Sequence, residues 1–100
     1  MTIKHEILIQ TEDVRVRVMQ LQAGEATHLH HHTEITDHMV GLDGSLQVEM
    51  KDPDELFDLA PGARCTVQPG RRHQVRNLSN TKPASYLLIQ GVGRYDFKKE

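Results

Sequence analysis

Tryptophan is absent from this 100-residue chain, and the other aromatics amount to two Tyr and two Phe. A core built almost without large rings must be filled by Val, Ile, Leu and Met, which bury well and pack without polar handles. Cysteine occurs once, at Cys65. That excludes an intramolecular disulfide and agrees with a reducing compartment. No apolar run approaches the ~20 residues a membrane-spanning helix requires. The first ten residues, MTIKHEILIQ, lack the apolar stretch and cleavage site of a secretory leader, so a cytoplasmic location is the expectation. Neither sign of charge dominates: 12 Lys and Arg stand against 14 Asp and Glu, a net charge of −2 with neutral histidines. Such a balance creates no broad field for nucleic acid or an anionic membrane, and neither is expected as a partner. One hundred residues make one domain's worth of chain, enough to bury about 60–70% of the unfolded surface. Residues 1–100 are therefore expected to form a single domain.

What is present is a period of two. In VRVRVMQL, Val14, Val16 and Val18 share one face and Arg15 and Arg17 the other, the pattern of a half-buried strand with its valines inward. GSLQVEM places Leu46, Val48 and Met50 together, and GARCTV does the same for Cys65 and Val67. SYLLIQ before Gly91 reads as a more fully buried strand. Turn-forming clusters punctuate these runs at AGE 23–25, LDGS 42–45, KDPDE 51–55, APG 60–62, QPGRR 68–72 and NLSNTKPA 77–84. Of these, Asp43-Gly44 is a hairpin signal. Short strands with turns every 8–12 residues predict an all-β sandwich or barrel. DPDELFDL fits either one helical turn or a strand, and the tail RYDFKKE either frays or packs on a partner.

Five of the seven histidines fall between His28 and His38, in HLHHHTEITDHM. On a strand, His28, His30 and His32 point to one side. Imidazoles on adjacent same-side positions converge on one metal ion at about 2.0–2.2 Å, and a carboxylate, Glu34 or Asp37, stands just beyond. His73 lies far off in sequence, in PGRRHQVRN, but a barrel brings distant strands side by side. Taken alone, the cluster also fits a polar surface loop or a group titrating near pH ~6.5.

The surrounding glycines and proline narrow the choice. GEATHLHHHTEITDHMVGLDG, residues 24–44, has Gly24, His30, His32, Asp37 and Gly44 in the register of the first motif of the cupin superfamily. GARCTVQPGRRHQVRN, residues 62–77, resembles the second motif at Gly62, Gly70, His73 and Asn77. There are two departures. Asp37 stands where the family usually has Glu, one methylene longer, and Gln68 stands where a proline is usual, with Pro69 after it. A second register also satisfies the spacing of the first motif, through His28, His30, Glu34 and Gly41 with His73, but it lacks the leading glycine at Gln22 and puts Gly41 where the turn is less natural. The first register is preferred.

The resemblance implies a double-stranded β-helix, or jelly-roll barrel, of the small single-domain cupin type. Its mouth would hold one divalent transition metal (Fe, Mn, Ni or Zn) on His30, His32, Asp37 and His73. Gly70 would permit the turn that aims His73 inward, and Asn77 would fix a loop. Similar small cupins include dioxygenases, isomerases and decarboxylases acting on small oxygenated organic molecules, so a metal-dependent enzyme of that kind is expected. The alternative is a non-catalytic module that binds or senses a small sugar or acid. Glu34 and His28 are the candidate general bases. Small cupins commonly pair as homodimers, for which residues 3–9 and 85–92 could supply the surface. Arg71 and Arg72, beside His73, either hold a carboxylate substrate or form a solvated turn. Cys65, Met39 and Met50 are expected in the core, and Gln47, Tyr86 and Gln90 are open candidates for cavity lining.

Overall fold

A computed structural model describes residues 3–100. Ten strands follow one another: β1 Lys4–Gln10, β2 Val14–Leu21, β3 His30–His31, β4 Thr36–Asp43, β5 Leu46–Met50, β6 Glu55–Leu59, β7 Arg64–Val67, β8 His73–Asn77, β9 Ala84–Gly91 and β10 Lys98–Lys99. They build two five-stranded sheets, ordered β1-β2-β9-β4-β7 and β10-β3-β8-β5-β6. Every named strand pair is antiparallel. This is the double-stranded β-helix that the sequence predicts. Among the described residues no helix is long and apolar enough to cross a membrane.

The core lies between the inner faces of the sheets, where alternate residues point. Leu46, Val48 and Met50 of β5 and Cys65 and Val67 of β7 are buried there, as their alternation predicts, with Met39 of β4. The helical option at 52–59 is not taken: Glu55–Leu59 pairs along β5. Asp43-Gly44 does not close a hairpin. It carries the chain from β4 in one sheet to β5 in the other, and Gly44, at φ +87°, is where that corner crosses so close to Ala84 that an added Cβ would fall 2.6 Å from the Ala84 Cβ. A glycine is needed twice over there, for the positive φ and for the close approach.

In β2 the structure reverses the predicted faces. Arg17, Met19 and Leu21 are buried, while Val14, Val16 and Val18 are only half-buried on the outer side. The reason is the cross-strand register. Arg17 lies opposite Leu88 and Met19 opposite Tyr86 of β9, and Leu88 in turn lies opposite Met39 and Gln90 opposite Asp37 of β4. The inward face of the sheet thus carries polar residues toward one end and apolar ones toward the other. The tail does not fray: β10 pairs with β3.

Candidate metal centre

Three elements from distant parts of the chain meet at the polar end of the barrel. β3 brings His30, with His32 one residue beyond the strand; β4 brings Asp37; β8 brings His73, directly opposite His30. One potential ligand atom of each lies within 4.8 Å of the others, and all four residues are buried. The shorter Asp reaches the cluster: Asp37 Oδ2 is 2.9 Å from His73 Nε2 and 3.2 Å from His32 Nε2.

Each imidazole is oriented from behind. His30 Nδ1 donates to the His28 carbonyl at 2.6 Å, His32 Nδ1 to the Asp96 carbonyl at 2.5 Å, and His73 Nδ1 to the Arg71 carbonyl at 2.8 Å. A carbonyl can only accept, so Nδ1 carries a proton in all three and each ring turns its Nε2 to the centre, where His32 and His73 meet Asp37 through a shared cation, a proton on Nε2 in the metal-free protein or a metal ion in its place. Such backing is what ligating histidines ordinarily have. Three lone pairs and a carboxylate packed this closely repel one another unless a cation, a proton or a metal ion, sits among them. The donor set, three nitrogens and one oxygen, suits a divalent transition metal.

The electrostatics follow from burial and from Asp37. Burial, reinforced by His73, lowers the pKa of His30 to about 4. Burial also disfavours charge on His32, but the hydrogen bond and charge of Asp37 outweigh it and raise its pKa. Asp37 is itself buried, which alone would raise its pKa, yet hydrogen bonds from His32 and His73 hold it well below the usual carboxylate range. Gln90 completes its surroundings, donating to Asp37 Oδ1 at 3.0 Å.

Beside this cluster opens a cavity of about 160 Å³, walled largely by apolar side chains such as Met19, Met39, Val75 and Leu88. Of the open candidates for its lining, Tyr86 and Gln90 are in the wall and Gln47 is not. Sequence reasoning missed the tail. Phe97 stacks on His30 with ring centroids 4.3 Å apart, and Tyr95 tilts against His32 at 5.5 Å. The tail is pinned by Asp96, whose carboxylate accepts from the backbone and hydroxyl of Thr33. Two aromatics among so few, close together at 95 and 97, were the available signal.

The candidate bases lie apart from the cluster. Glu34 is exposed and outside the cavity wall, with its Cβ near Gly93; His28 is exposed at the cavity's rim, its backbone carbonyl serving His30. Gly41, the turn glycine of the second register, lies inside β4, where any Cβ would collide with the Ala60 carbonyl oxygen. Arg71 and Arg72 do not face the cavity. Arg71 donates to the carbonyls of Lys51 and Pro53 and to Glu55, and Arg72 pairs with Asp52, so both tie down the β5–β6 turn. Asn77 is a loop clamp: it donates to the carbonyls of Leu21, Gln22 and Lys82 and accepts from the Ser79 backbone.

The sequence matches the Cupin_2 family, a cupin domain, over residues 17–90. The chain belongs to that cupin family. Its fold is shared with solved structures. One is a conserved protein with a double-stranded β-helix domain from Klebsiella pneumoniae (TM-score 0.84, 18% identity, covering 97% of this chain and 78% of that one). Another is TT1209 from Thermus thermophilus (TM-score 0.79, 27% identity, 90% and 83% covered). A third is a cupin 2 domain-containing protein from Halorhodospira halophila (TM-score 0.83, 20% identity, 98% and 70% covered). No curated protein matches the sequence.

Proposed function

We propose that this cupin holds one divalent transition metal (iron, manganese, nickel or zinc) on His30, His32, Asp37 and His73, and acts as a metal-dependent enzyme on a small oxygenated organic molecule. The observation that carries the reading is the set of three imidazoles, each anchored through Nδ1 to a backbone carbonyl and gathered with the carboxylate of Asp37. Four protein ligands leave coordination positions for a substrate, and a bound metal would supply Lewis-acid polarisation or oxygen chemistry there. The chain's own residues do the rest. Gln90 and the backbone carbonyls fix the ligands, the apolar wall excludes water, and Phe97 covers His30.

A second reading, a binding or sensing module without turnover, is favoured by the exposure of both candidate bases, Glu34 outside the cavity wall and His28 at its rim, because neither is buried among the metal ligands to move a proton. Elemental analysis of protein purified without a His tag or nickel resin tests the shared part: about one equivalent of metal, whose removal lowers the melting temperature. An unchanged melting curve on stripping and restoring each metal would refute it. Turnover of candidate oxygenated acids by the loaded protein then separates the two readings.

A homodimer belongs to the same proposal. β1 is an edge strand, exposed along its whole length, with Ile7, Leu8 and Ile9 about half-exposed. Its free backbone groups select another strand, and two-fold symmetry offers the same strand of a second copy. β9, by contrast, is interior to its sheet and offers only its outer face. Sedimentation equilibrium should give a dimer that Ile7→Lys with Ile9→Lys converts to monomer; a wild-type monomer would refute the pairing.

A further inference from the structure

Arg17 is the unexplained charge of this molecule. It is 8% exposed, and it lines the cavity beside the metal centre. Its guanidinium has five N–H donors and stays charged at any ordinary pH. Nη2 donates to Gln90 Oε1 at 2.8 Å and Nη1 to His5 Nδ1 at 3.0 Å. Both partners are neutral acceptors. Nε is buried with no partner at all, and among the described residues no carboxylate pairs with Arg17. An isolated buried cation with an unsatisfied donor is costly and needs a reason.

The cavity supplies one. Among the residues that line it the only acid is Asp37, and its two oxygens are engaged by Gln90, His32 and His73. The Gln90 amide stands between the two centres, accepting from Arg17 and donating to Asp37. One negative charge thus faces the Arg17 cation together with whatever cation the histidines hold, and the balance of the cavity is positive.

We propose that Arg17 is the anion anchor of this cavity: it receives the carboxylate of a small organic acid, on its Nε–H and a neighbouring N–H, and so turns the rest of that acid toward the His30–His32–Asp37–His73 cluster. This deepens the proposed function by naming the ligand class, and it rests on that reading only for what the far end of the acid meets. A cavity of about 160 Å³ is close to the size that admits one benzene ring, so the acid has roughly six to ten non-hydrogen atoms. A planar carboxylate matches the two-donor fork of one guanidinium. A phosphate, with more charge and more acceptor atoms, would find a single arginine and apolar walls.

The test uses benzoate, its neutral isostere benzamide, and inorganic phosphate. Each is titrated calorimetrically into the metal-free and the Zn²⁺-loaded protein, with the Arg17 Nε–H resonance followed by NMR. Benzoate should bind more tightly than benzamide by about tenfold or more, the fold-change of one charge-assisted hydrogen bond. It alone should move the Nε–H signal. Arg17→Met should abolish the preference in the metal-free protein. Equal binding of benzoate and benzamide, a preference that survives in Arg17→Met, tighter binding of phosphate, or no binding of benzoate would each overturn the assignment. Should Arg17→Met fail to fold, the Nε–H shift in wild type decides, since it requires contact at Arg17 itself. Failure of the metal reading stays separate: protein that prefers benzoate but takes up no metal would retain the anion anchor and lose the metal centre.

Discussion

His30 should make the metal-free protein acid-sensitive over a defined window. In the unfolded chain its imidazole takes a proton near pH 6.5; in the fold, burial and the neighbouring His73 depress that value to about 4. Between the two values the unfolded state binds the proton and the folded state refuses it, so stability falls as pH falls. The shift from 6.5 to about 4 is worth about 3 kcal/mol, at 1.36 kcal/mol for each pH unit. Two neighbours leave this window untouched. The pKa of His32 is raised, so its contribution is complete below its ordinary value and is lost only as pH rises above it. The pKa of Asp37 is lowered, so its contribution is present above the ordinary carboxylate value and is lost only as pH falls below that. Urea unfolding of chelator-treated protein at steps from pH 7 to pH 4 should therefore show a decline of about 3 kcal/mol. His30→Asn, which keeps a hydrogen-bonding side chain but does not titrate, should remove most of that slope. A flat wild-type profile, or the same decline in His30→Asn, would refute the placement of His30 as a buried neutral imidazole.

Equilibrium metal titrations of His32→Ala and Asp37→Ala should show losses beyond the ~10–100-fold of outer-shell changes, while His28→Ala and Glu34→Ala stay near wild type; tight binding by Asp37→Ala with lost binding by Glu34→Ala would move the site to the other register. Gly41→Ala drives a Cβ against the carbonyls of Leu59 and Ala60, and chemical denaturation should register a loss of about 1–3 kcal/mol from overpacking. Asn77→Ala leaves the carbonyls of Leu21, Gln22 and Lys82 without their donor; a destabilisation of about 1–3 kcal/mol, with faster amide exchange at Ser79, is expected. Metal retention should weaken as pH drops below ~6, because protons compete for the same imidazole nitrogens, and dialysis at stepped pH followed by elemental analysis measures this.

The sequence by itself determined the architecture and the cluster. Alternation over residues 46–50 and 64–67 marks which side chains share a face, because successive strand residues point to opposite sides whatever the partner strand, and there the apolar set is the buried one. The spacing of His30, His32, Asp37 and His73 among their glycines marks a motif, and the fold draws those four residues together. Local spacing carries such information because each ligand sits on, or one residue beyond, a strand whose register is set nearby. What only the tertiary structure decided is where similar local patterns meet different neighbours. In VRVRVMQL both faces alternate equally well, and it is β9, bringing Leu88 and Tyr86 opposite Arg17 and Met19, that turns the arginine inward and the valines out. Arg71 and Arg72 stand next to a candidate ligand in sequence, yet the β5–β6 turn claims them. The tail carries no strand period of its own, and only the open edge of β3 gives Lys98–Lys99 a partner and lays Phe97 over His30. A pattern of period two fixes the two faces of a strand, but which of them becomes the inside depends on contacts between residues more than sixty positions apart.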